Sequence, residues 1–268
     1  MKATPVCTVV MPVFNMEATV EEALDSCAAQ GIPGLEVIVV DDGSTDGSAF
    51  IAASHPLRPT VIQIDHTGVP AAVRNHGILA AAGHHIQFLD ADDVIVPGKI
   101  TRQLDSLTGH PKNTVAYCDY AFFRDEDGRR LCERRGPADG AYWPGDLAGQ
   151  FALYTVVHRF LFPRQTLLQI GLFDPGLTHA EDLDLWLRLL IADVPFLYEP
   201  ETLALYREHL SHSLSSPIGE RWSRVVVARK LRGYVASRGL YERYADVIDG
   251  IELREVQAWK STVAGGFE

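Results

Sequence analysis

Positive charge and long apolar runs are both scarce in this sequence. Its 268 residues carry 24 Lys and Arg against 35 Asp and Glu, which gives a net charge of −11. General nucleic-acid binding requires a basic footprint, so the charge balance argues against that class of function. No run approaches the roughly 18 to 20 apolar residues of a membrane span, and the N-terminus lacks the apolar segment of a signal peptide. We therefore expect a cytoplasmic protein, with peripheral contact with a membrane surface left open.

Paired cysteines and two nucleotide-binding signatures are also missing. The four cysteines are scattered without C-x-x-C spacing, which favours a reduced intracellular protein over a disulfide scaffold or a zinc site. No G-x-G-x-x-G follows the first predicted strand, and no G-x-x-x-x-G-K-[ST] occurs anywhere. The sequence thus argues against an NAD-type dinucleotide fold and against a P-loop enzyme.

Apolar runs and helical patterns alternate through the first hundred residues. They predict strands at 6–13, 36–40, 60–64 and 86–89, separated by helices at 17–30, 47–54 and 71–82. This alternation is typical of an α/β fold with a mostly parallel, Rossmann-like sheet and helices on both faces.

The pattern changes after residue 97. It predicts a helix at 100–107, a strand at 114–123, a hairpin turn at 125–128, an apolar helix at 181–191, and a strand at 202–206. The chain reads as helical from 217 onward. We divide it into a nucleotide-binding half (1–105), a second half of the same domain (106–216), and a helical C-terminal tail (217–268).

Three carboxylates follow the fourth predicted strand, at Asp90, Asp92 and Asp93. Ligands bind beyond the carboxyl ends of strands in open α/β sheets, and clustered carboxylates there can share a hard cation. A bound Mn²⁺ or Mg²⁺ could hold a diphosphate. The alternative is an acidic turn in which Asp93 caps a helix.

Further polar residues are expected at the same edge of the sheet. Asp42 ends the second strand and could accept hydrogen bonds from a base or a ribose, or could simply shape its loop. Phe14 could stack on a base or pack in the core. Arg74 could bind phosphate or pair with the clustered aspartates, and we weigh these two interpretations equally.

Two more candidates lie in the second half. Glu181 and Asp182 begin the predicted helix at 181–191, either as a general base facing the metal site or as a plain acidic first turn. Arg207 and His209 follow the predicted strand at 202–206, where His209 could ligate a metal or touch phosphate. Both could equally lie in an exposed loop.

Taken in order, five motifs carry a family resemblance. They are Val9-Val-Met-Pro-Val-Phe-Asn15, Val39-Val-Asp-Asp-Gly-Ser-Thr-Asp46, Gly68-Val-Pro-Ala-Ala-Val-Arg-Asn75, Phe88-Leu-Asp-Ala-Asp-Asp93 and Glu181-Asp-Leu-Asp-Leu-Trp-Leu-Arg188. In this order and spacing the sequence closely resembles the family 2 glycosyltransferases of the GT-A fold, but the tail beyond Pro217 is not covered. The resemblance implies metal-dependent, inverting transfer of a sugar from a nucleoside diphosphate, with UDP as the default and dTDP or GDP as alternatives.

The resemblance also implies a role for each matching residue. Asp90 and Asp92 would hold Mn²⁺ or Mg²⁺, with Asp92 the better candidate for direct contact. Asp182 would be the catalytic base, with Glu181 second, and Arg207 and His209 would lie near the diphosphate. The nucleotide would contact Pro12, Val13, Phe14, Asn15, Glu17, Asp42, Arg74 and Ala91.

The acceptor is left open between a glycan, a lipid-linked sugar and a small molecule. Residues 141–164 would form its wall. Its aromatic residues could provide a stacking surface or could equally belong to the core: Tyr142, Trp143, Phe151, Tyr154 and Phe160. The basic stretch from Arg221 to Arg238 contains no acidic residue after Arg221, which favours an anionic membrane face or, as the plainer interpretation, a solvated helix or homodimer contact. Two alternative functions remain: a non-catalytic nucleotide-sugar-binding module and a sugar-phosphate nucleotidyltransferase.

Overall fold

The protein folds around one mixed sheet flanked by helices. The computed structural model describes residues 4–126, 129–134, 156–208 and 217–265. The strands are β1 Cys7–Val13, β2 Glu36–Asp41, β3 Thr60–Gln63, β4 His85–Phe88, β5 Val94–Ile95, β6 Val115–Glu126, β7 Arg129–Arg134, β8 Phe160–Pro163 and β9 Phe196–Arg207. The helices are α1 Val20–Ala28, α2 Ser48–Ser54, α3 Pro70–Ala80, α4 Lys99–Ser106, α5 Arg164–Ile170, α6 Glu181–Ile191, α7 Pro217–Ser237 and α8 Tyr241–Gly265.

The strand order confirms the α/β architecture expected from the sequence. The order is β3-β2-β1-β4-β8-β6-β9-β5, and β7 pairs with β6 outside this path. The first four strands are parallel to one another, whereas β8 is antiparallel to both β4 and β6. Strands β6 and β7 are antiparallel and pair as far as Glu126 and Arg129, as the hairpin expected at 125–128 requires. The two halves of the chain therefore share one continuous sheet.

The start of the first helix differs from the prediction. We expected it to begin near Glu17, but α1 begins at Val20. The backbone N–H of Met16 donates to Ser48 Oγ at 2.7 Å, and that of Glu17 donates to Asp46 Oδ2 at 3.1 Å. These side chains hold residues 16 and 17 in a loop, because their amides are bonded across to the start of α2.

Alternating side chains of the central strands build a core on each face of the sheet. Val10 of β1 packs with α3, α5 and α6, while its neighbours Val9 and Met11 pack with α1, α2 and α4. Helix α3 lies very close to β1, because a Cβ atom added at Gly77 would stand 2.3 Å from Val10 Cγ1. Helices therefore cover both faces, as predicted.

Phe160 belongs to this core, so the second of its two interpretations holds and it is not part of an acceptor-stacking surface. It is fully buried, and its ring centroid lies 4.5 Å from that of Trp186 on α6. Phe162 also stacks on Trp186, with ring centroids 5.4 Å apart. The alternation of β8 places both rings under α6. The other predicted acceptor aromatics, at 142, 143, 151 and 154, lie outside the described residues.

The C-terminal hairpin, formed by α7 and α8, packs against α6. The basic stretch for which an anionic-surface contact was one of two interpretations is largely neutralised there by acidic residues of α8. Arg224 Nε lies 3.1 Å from Glu255, and Arg229 Nε lies 2.8 Å from Glu252. Arg232 bonds both Asp249 and Glu252. No helix of the described chain is long and apolar enough to cross a membrane.

Candidate active site

The loops that follow β1, β2, β3 and β4 lie at one edge of the sheet, because these strands are parallel. Val13 at the end of β1 is paired with Asp41 at the end of β2, and Val10 is paired with Phe88 at the end of β4. The Leu89 amide extends this pairing by donating to the Val10 carbonyl at 3.1 Å. The carboxylates that follow Leu89 therefore emerge beside the loops after β1 and β2, as the sequence predicts.

Asn15 and Glu17 join the first two of these loops. The Thr45 amide donates to Asn15 Oδ1 at 2.8 Å, and the Gly47 amide donates to Glu17 Oε2 at 2.9 Å. Asn15 has a φ of +53°, a left-handed conformation that asparagine tolerates better than most residues. These two predicted nucleotide ligands thus shape the wall of the site through backbone contacts.

Pro12, Val13 and Ala91 contribute differently from the other predicted nucleotide ligands. Val13 and Ala91 are buried in the core that faces α1, and Pro12 is partly buried in β1. Their side chains are packing groups, so any contact that Val13 or Ala91 makes with a ligand must come from the backbone.

Asp42 organises the loop after β3. Its carboxylate accepts hydrogen bonds from the amides of Thr67 at 2.7 Å and Gly68 at 2.9 Å. His66 Nδ1 lies 3.1 Å from the same carboxylate and 2.8 Å from the Asp42 carbonyl. His66 and Thr67 were not singled out in the sequence. The one feature of the sequence that could have indicated them is their position just before Gly68. The φ of Gly68, +65°, allows the turn into α3.

Phe14 and His66 form an aromatic pair at the mouth of these loops. Their ring centroids are 4.2 Å apart and the planes meet at 23°. Phe14 is 39% exposed and the His66 side chain is 50% exposed. The pair leaves a flat apolar surface open to solvent, which suits stacking by a planar ligand.

Arg74 joins the carboxylates after β4 to the start of α6. Its guanidinium donates to Asp90 Oδ1 at 2.9 Å and to Glu181 Oε1 at 2.7 Å, across 107 residues of sequence in the second case. Burial lowers the pKa of Arg74, but the two carboxylates more than offset this and raise it. Arg74 therefore pairs with an aspartate, the second of the two interpretations that the sequence left open.

Asp182 lies next to this bridge. Burial and the negative charge of Glu181 raise the pKa of Asp182 to about 7, and the hydrogen bond from the Leu183 amide, 2.7 Å long, lowers it only in part. Ala180, the residue before α6, has a φ of +59°, and such strain in a non-glycine residue is concentrated at functional sites. A carboxyl with a pKa near 7 is suited to accept and return a proton at neutral pH.

Arg207 fixes the far side of the carboxylate loop. Its backbone amide donates to Asp93 Oδ1 at 2.8 Å and its Nε donates to the Asp92 carbonyl at 2.8 Å. Its remaining nitrogens bond Asp125 and Glu22. Contact between Arg207 and a diphosphate stays a prediction, since the guanidinium holds protein groups here. His209 lies outside the described residues.

Asp93 is buried beneath Asp90 and Asp92. Burial raises the pKa of Asp93 to about 6, while nearby His158, whose Nδ1 lies 3.0 Å from Asp93 Oδ2, lowers it. Its two oxygens face Arg207 and His158, so Asp93 supports the loop from below. The helix-capping alternative does not describe it, because α4 begins several residues later.

The carboxylates that follow β4 suit a divalent cation that is held jointly with a substrate. Within the described part of the chain, no three His, Cys, Asp or Glu side chains are grouped closely enough to hold a metal ion by themselves. Asp90 and Asp92 are both partly exposed, whereas Asp93 is buried. Mg²⁺ is commonly bound by one or two carboxylates together with substrate phosphates and water, which fits this pair of carboxylates.

Comparison with known proteins agrees with this geometry. The model of "Glycosyl transferase family 2" matches residues 8–169. An uncharacterised glycosyltransferase of Rickettsia typhi is 28% identical over 220 residues, which cover 81% of this chain and 68% of the relative. One of Haemophilus influenzae is 36% identical over 122 residues, 43% of this chain and 49% of that protein.

Two solved structures show the same fold. Residues 1–349 of TarS of S. aureus, in complex with UDP, have a TM-score of 0.63 at 20% identity, and the match covers 84% of this chain and 65% of that fragment. The mannosyltransferase PcManGT of Pyrobaculum calidifontis, in complex with GDP-Man and Mn²⁺, has a TM-score of 0.61 at 19% identity. That match covers 98% of this chain and 74% of the other. The chain thus spans about two thirds of TarS residues 1–349 and 39% of the longer TarS chain.

Proposed function

The chain belongs to glycosyl transferase family 2 and is a glycosyltransferase, and on that premise we propose that it transfers a sugar from a nucleoside diphosphate to an acceptor hydroxyl with inversion, assisted by Mn²⁺ or Mg²⁺. A UDP-sugar is the donor that we favour, and a GDP- or dTDP-sugar is the alternative. Of the two structural neighbours, one is a complex with UDP and the other a complex with GDP-Man and Mn²⁺, which supports this donor class and a divalent cation.

One observation carries the proposal: Arg74 bonds Asp90 and Glu181 at the same time. Asp90 stands at the strand end where a diphosphate and its cation would be held. Glu181 is the immediate neighbour of Asp182, so the bridge holds the proposed base beside the proposed leaving-group site. Inverting transfer needs a base and a leaving group that address the same anomeric carbon, and the Arg74 bridge supports such an arrangement.

The residues divide the chemistry between them. The Asp182 carboxylate accepts the proton of the acceptor hydroxyl as its oxygen forms the bond to the anomeric carbon. The bond from that carbon to the diphosphate oxygen breaks on the opposite face, and the electron pair leaves with the diphosphate. A cation held by Asp90 and Asp92 would neutralise charge on this leaving group. Glu181 is committed to Arg74, which leaves Asp182 as the base.

Donor turnover tests the proposal. UDP-GlcNAc, UDP-glucose, dTDP-glucose and GDP-mannose are each incubated with the protein and Mn²⁺, and release of the nucleoside diphosphate is measured with water as the acceptor. We expect turnover of one donor class and loss of activity by about 10²–10⁴-fold in Asp182→Asn, the range typical of general-base help.

Proton NMR of the first sugar released gives the stereochemistry. An α-linked donor should yield the β-anomer if the transfer inverts. Initial release of the α-anomer would contradict the inverting mechanism. Release of pyrophosphate from a sugar phosphate and a nucleoside triphosphate would instead indicate a nucleotidyltransferase, and binding without turnover of any donor would indicate a binding module.

A further inference from the structure

The face of α6 that is turned away from the sheet is covered by the C-terminal hairpin. Leu183, Leu187 and Ile191 of α6 form an apolar cluster with residues of α7 and α8, among them Val227, Leu231, Ile248 and Ile251. The family match ends at residue 169, so both α6 and this hairpin lie beyond it. The helix that bears Asp182 is therefore held by the C-terminal hairpin.

Lys230 of α7 contacts two carboxylates, one before and one after Asp182 in the sequence. Lys230 Nζ lies 2.7 Å from Asp184 Oδ1 and 2.6 Å from Asp174 Oδ2. Asp174 belongs to the loop that leads into α6, and Asp184 lies in the first turn of α6. Lys230 thus joins the segment that precedes Asp182 to the segment that follows it.

Asp184 extends this contact into the body of the protein. Its side chain is only 1% exposed, and its second oxygen accepts a hydrogen bond from Arg188 Nε at 2.8 Å. Arg188 in turn donates to the carbonyls of Ile170 and Leu172, at 2.8 and 2.7 Å. The first turn of α6 is therefore tied to the end of α5 on one side and to α7 on the other. A buried carboxylate deprived of one cationic partner would favour a different arrangement of that turn.

We propose that Lys230 is a positioning residue that fixes the first turn of α6, and with it the Asp182 carboxyl, relative to the carboxylates after β4. The proposal rests on the role of Asp182 as the base. Reacting groups must be held within a fraction of an ångström, and a displacement of about 1 Å can cost about 10²-fold in rate. The donor contacts lie mainly in the loops after β1, β2, β3 and β4, so Lys230 governs the rate of the chemical step and not the affinity for the donor.

The chain offers a matched control in the preceding residue. Arg229 also bears a cation on α7, but its ion pair is to Glu252 of α8, within the hairpin itself. Lys230→Met, Lys230→Arg and Arg229→Met are compared with wild type and Asp182→Asn in the donor-turnover assay, using the sugar nucleotide of the panel that wild type hydrolyses.

We expect Lys230→Met to lower kcat by about 10- to 100-fold with donor KM within about twofold of wild type. Lys230→Arg should restore most of kcat, since it returns a cation to Asp184. Arg229→Met should stay within about twofold of wild type in both constants. Equal kcat values for Lys230→Met and Arg229→Met, or a raised KM at unchanged kcat, would overturn the proposal.

Hydrogen exchange gives a second readout that does not depend on turnover. Amides in 174–185 should exchange faster in Lys230→Met than in wild type or Arg229→Met, while those of β1 and β4 stay unchanged. Unaltered exchange in 174–185 would contradict the anchoring role. An inactive wild type or a fully active Asp182→Asn would instead contradict the proposed function, and the exchange comparison would still decide whether Lys230 fixes this turn.

Discussion

Replacing Asp182 by Asn should make the protein more stable while it removes activity. Burial and the charge of Glu181 raise the pKa of Asp182 from 3.8 to about 7, so the folded state holds this proton more tightly than the unfolded state does. The stability contributed by this group is complete below the unfolded pKa of 3.8. It falls as the pH rises from 3.8 to about 7, and it is fully lost above about 7. Asn is neutral at every pH, so the Asp182→Asn variant does not lose this stability as the pH rises.

The magnitude follows from the size of the shift. Each unit of pKa is equivalent to about 1.4 kcal/mol, so a rise from 3.8 to about 7 corresponds to roughly 4 kcal/mol. Asp182 is only partly buried, and water therefore screens part of the charge. We expect Asp182→Asn to raise the free energy of unfolding by about 2 kcal/mol at pH 8, which is a rise of roughly 4–8 °C in Tm.

The neighbouring carboxylate is the matched control. Glu181→Gln gives up a charged hydrogen bond from Arg74, so we expect it to lower the free energy of unfolding by about 1–2 kcal/mol. Denaturant unfolding of both variants and wild type at pH 5, 6, 7 and 8 measures the two effects. The gain of Asp182→Asn should grow as the pH rises from 5 to about 7 and level off above it. A destabilised Asp182→Asn, or a gain that shrinks as the pH rises, would refute the reasoning.

Three further predictions concern the same edge of the sheet. Because Asp182 must be deprotonated to act as the base, kcat/KM for donor turnover should fall about tenfold for each pH unit below about 7 and lose this limb in Asp182→Asn. Phe14→Ala should weaken nucleotide binding by about 1–3 kcal/mol in calorimetric titration, since it removes one of the two exposed rings of the pair with His66. Gly77→Ala should lower the free energy of unfolding by about 1–3 kcal/mol, because its Cβ would stand 2.3 Å from Val10; equal stability of the two proteins would mean that α3 can move away at no cost.

The sequence was sufficient where local pattern and burial agree. The four parallel strands and the helix at 181–191 are confirmed. The spacing of their apolar residues and the carboxylates at the strand ends both indicate the same buried elements. Asp90 and Glu181 are brought to the same guanidinium by the fold alone, and their separation in sequence gave no sign of it. The sequence therefore placed Arg74 near the site but did not identify both of its partners, Asp90 and Glu181.

Side-chain direction accounts for most of the remaining differences. Phe160 is aromatic and follows a turn-rich segment, and an exposed stacking residue has the same features in sequence. Its position in β8, however, directs its ring against Trp186. The stretch of α7 that follows Arg221 contains no acidic residue, yet Glu252 and Glu255 of α8 pair with its arginines in space. A one-dimensional charge pattern does not report partners on an adjacent helix.

The central claim is that Asp90 and Asp92 hold a nucleoside diphosphate through a divalent cation. The most direct measurement is the thermal midpoint of wild type and Asp92→Asn with UDP, dTDP or GDP, each with and without Mn²⁺. At about 100 times its dissociation constant, a ligand stabilises the folded state by about 2.7 kcal/mol. We predict such a rise with one nucleotide, only when Mn²⁺ is present, and its loss in Asp92→Asn. A rise of the same size without Mn²⁺ and in Asp92→Asn, or no rise with any nucleotide, would contradict the account.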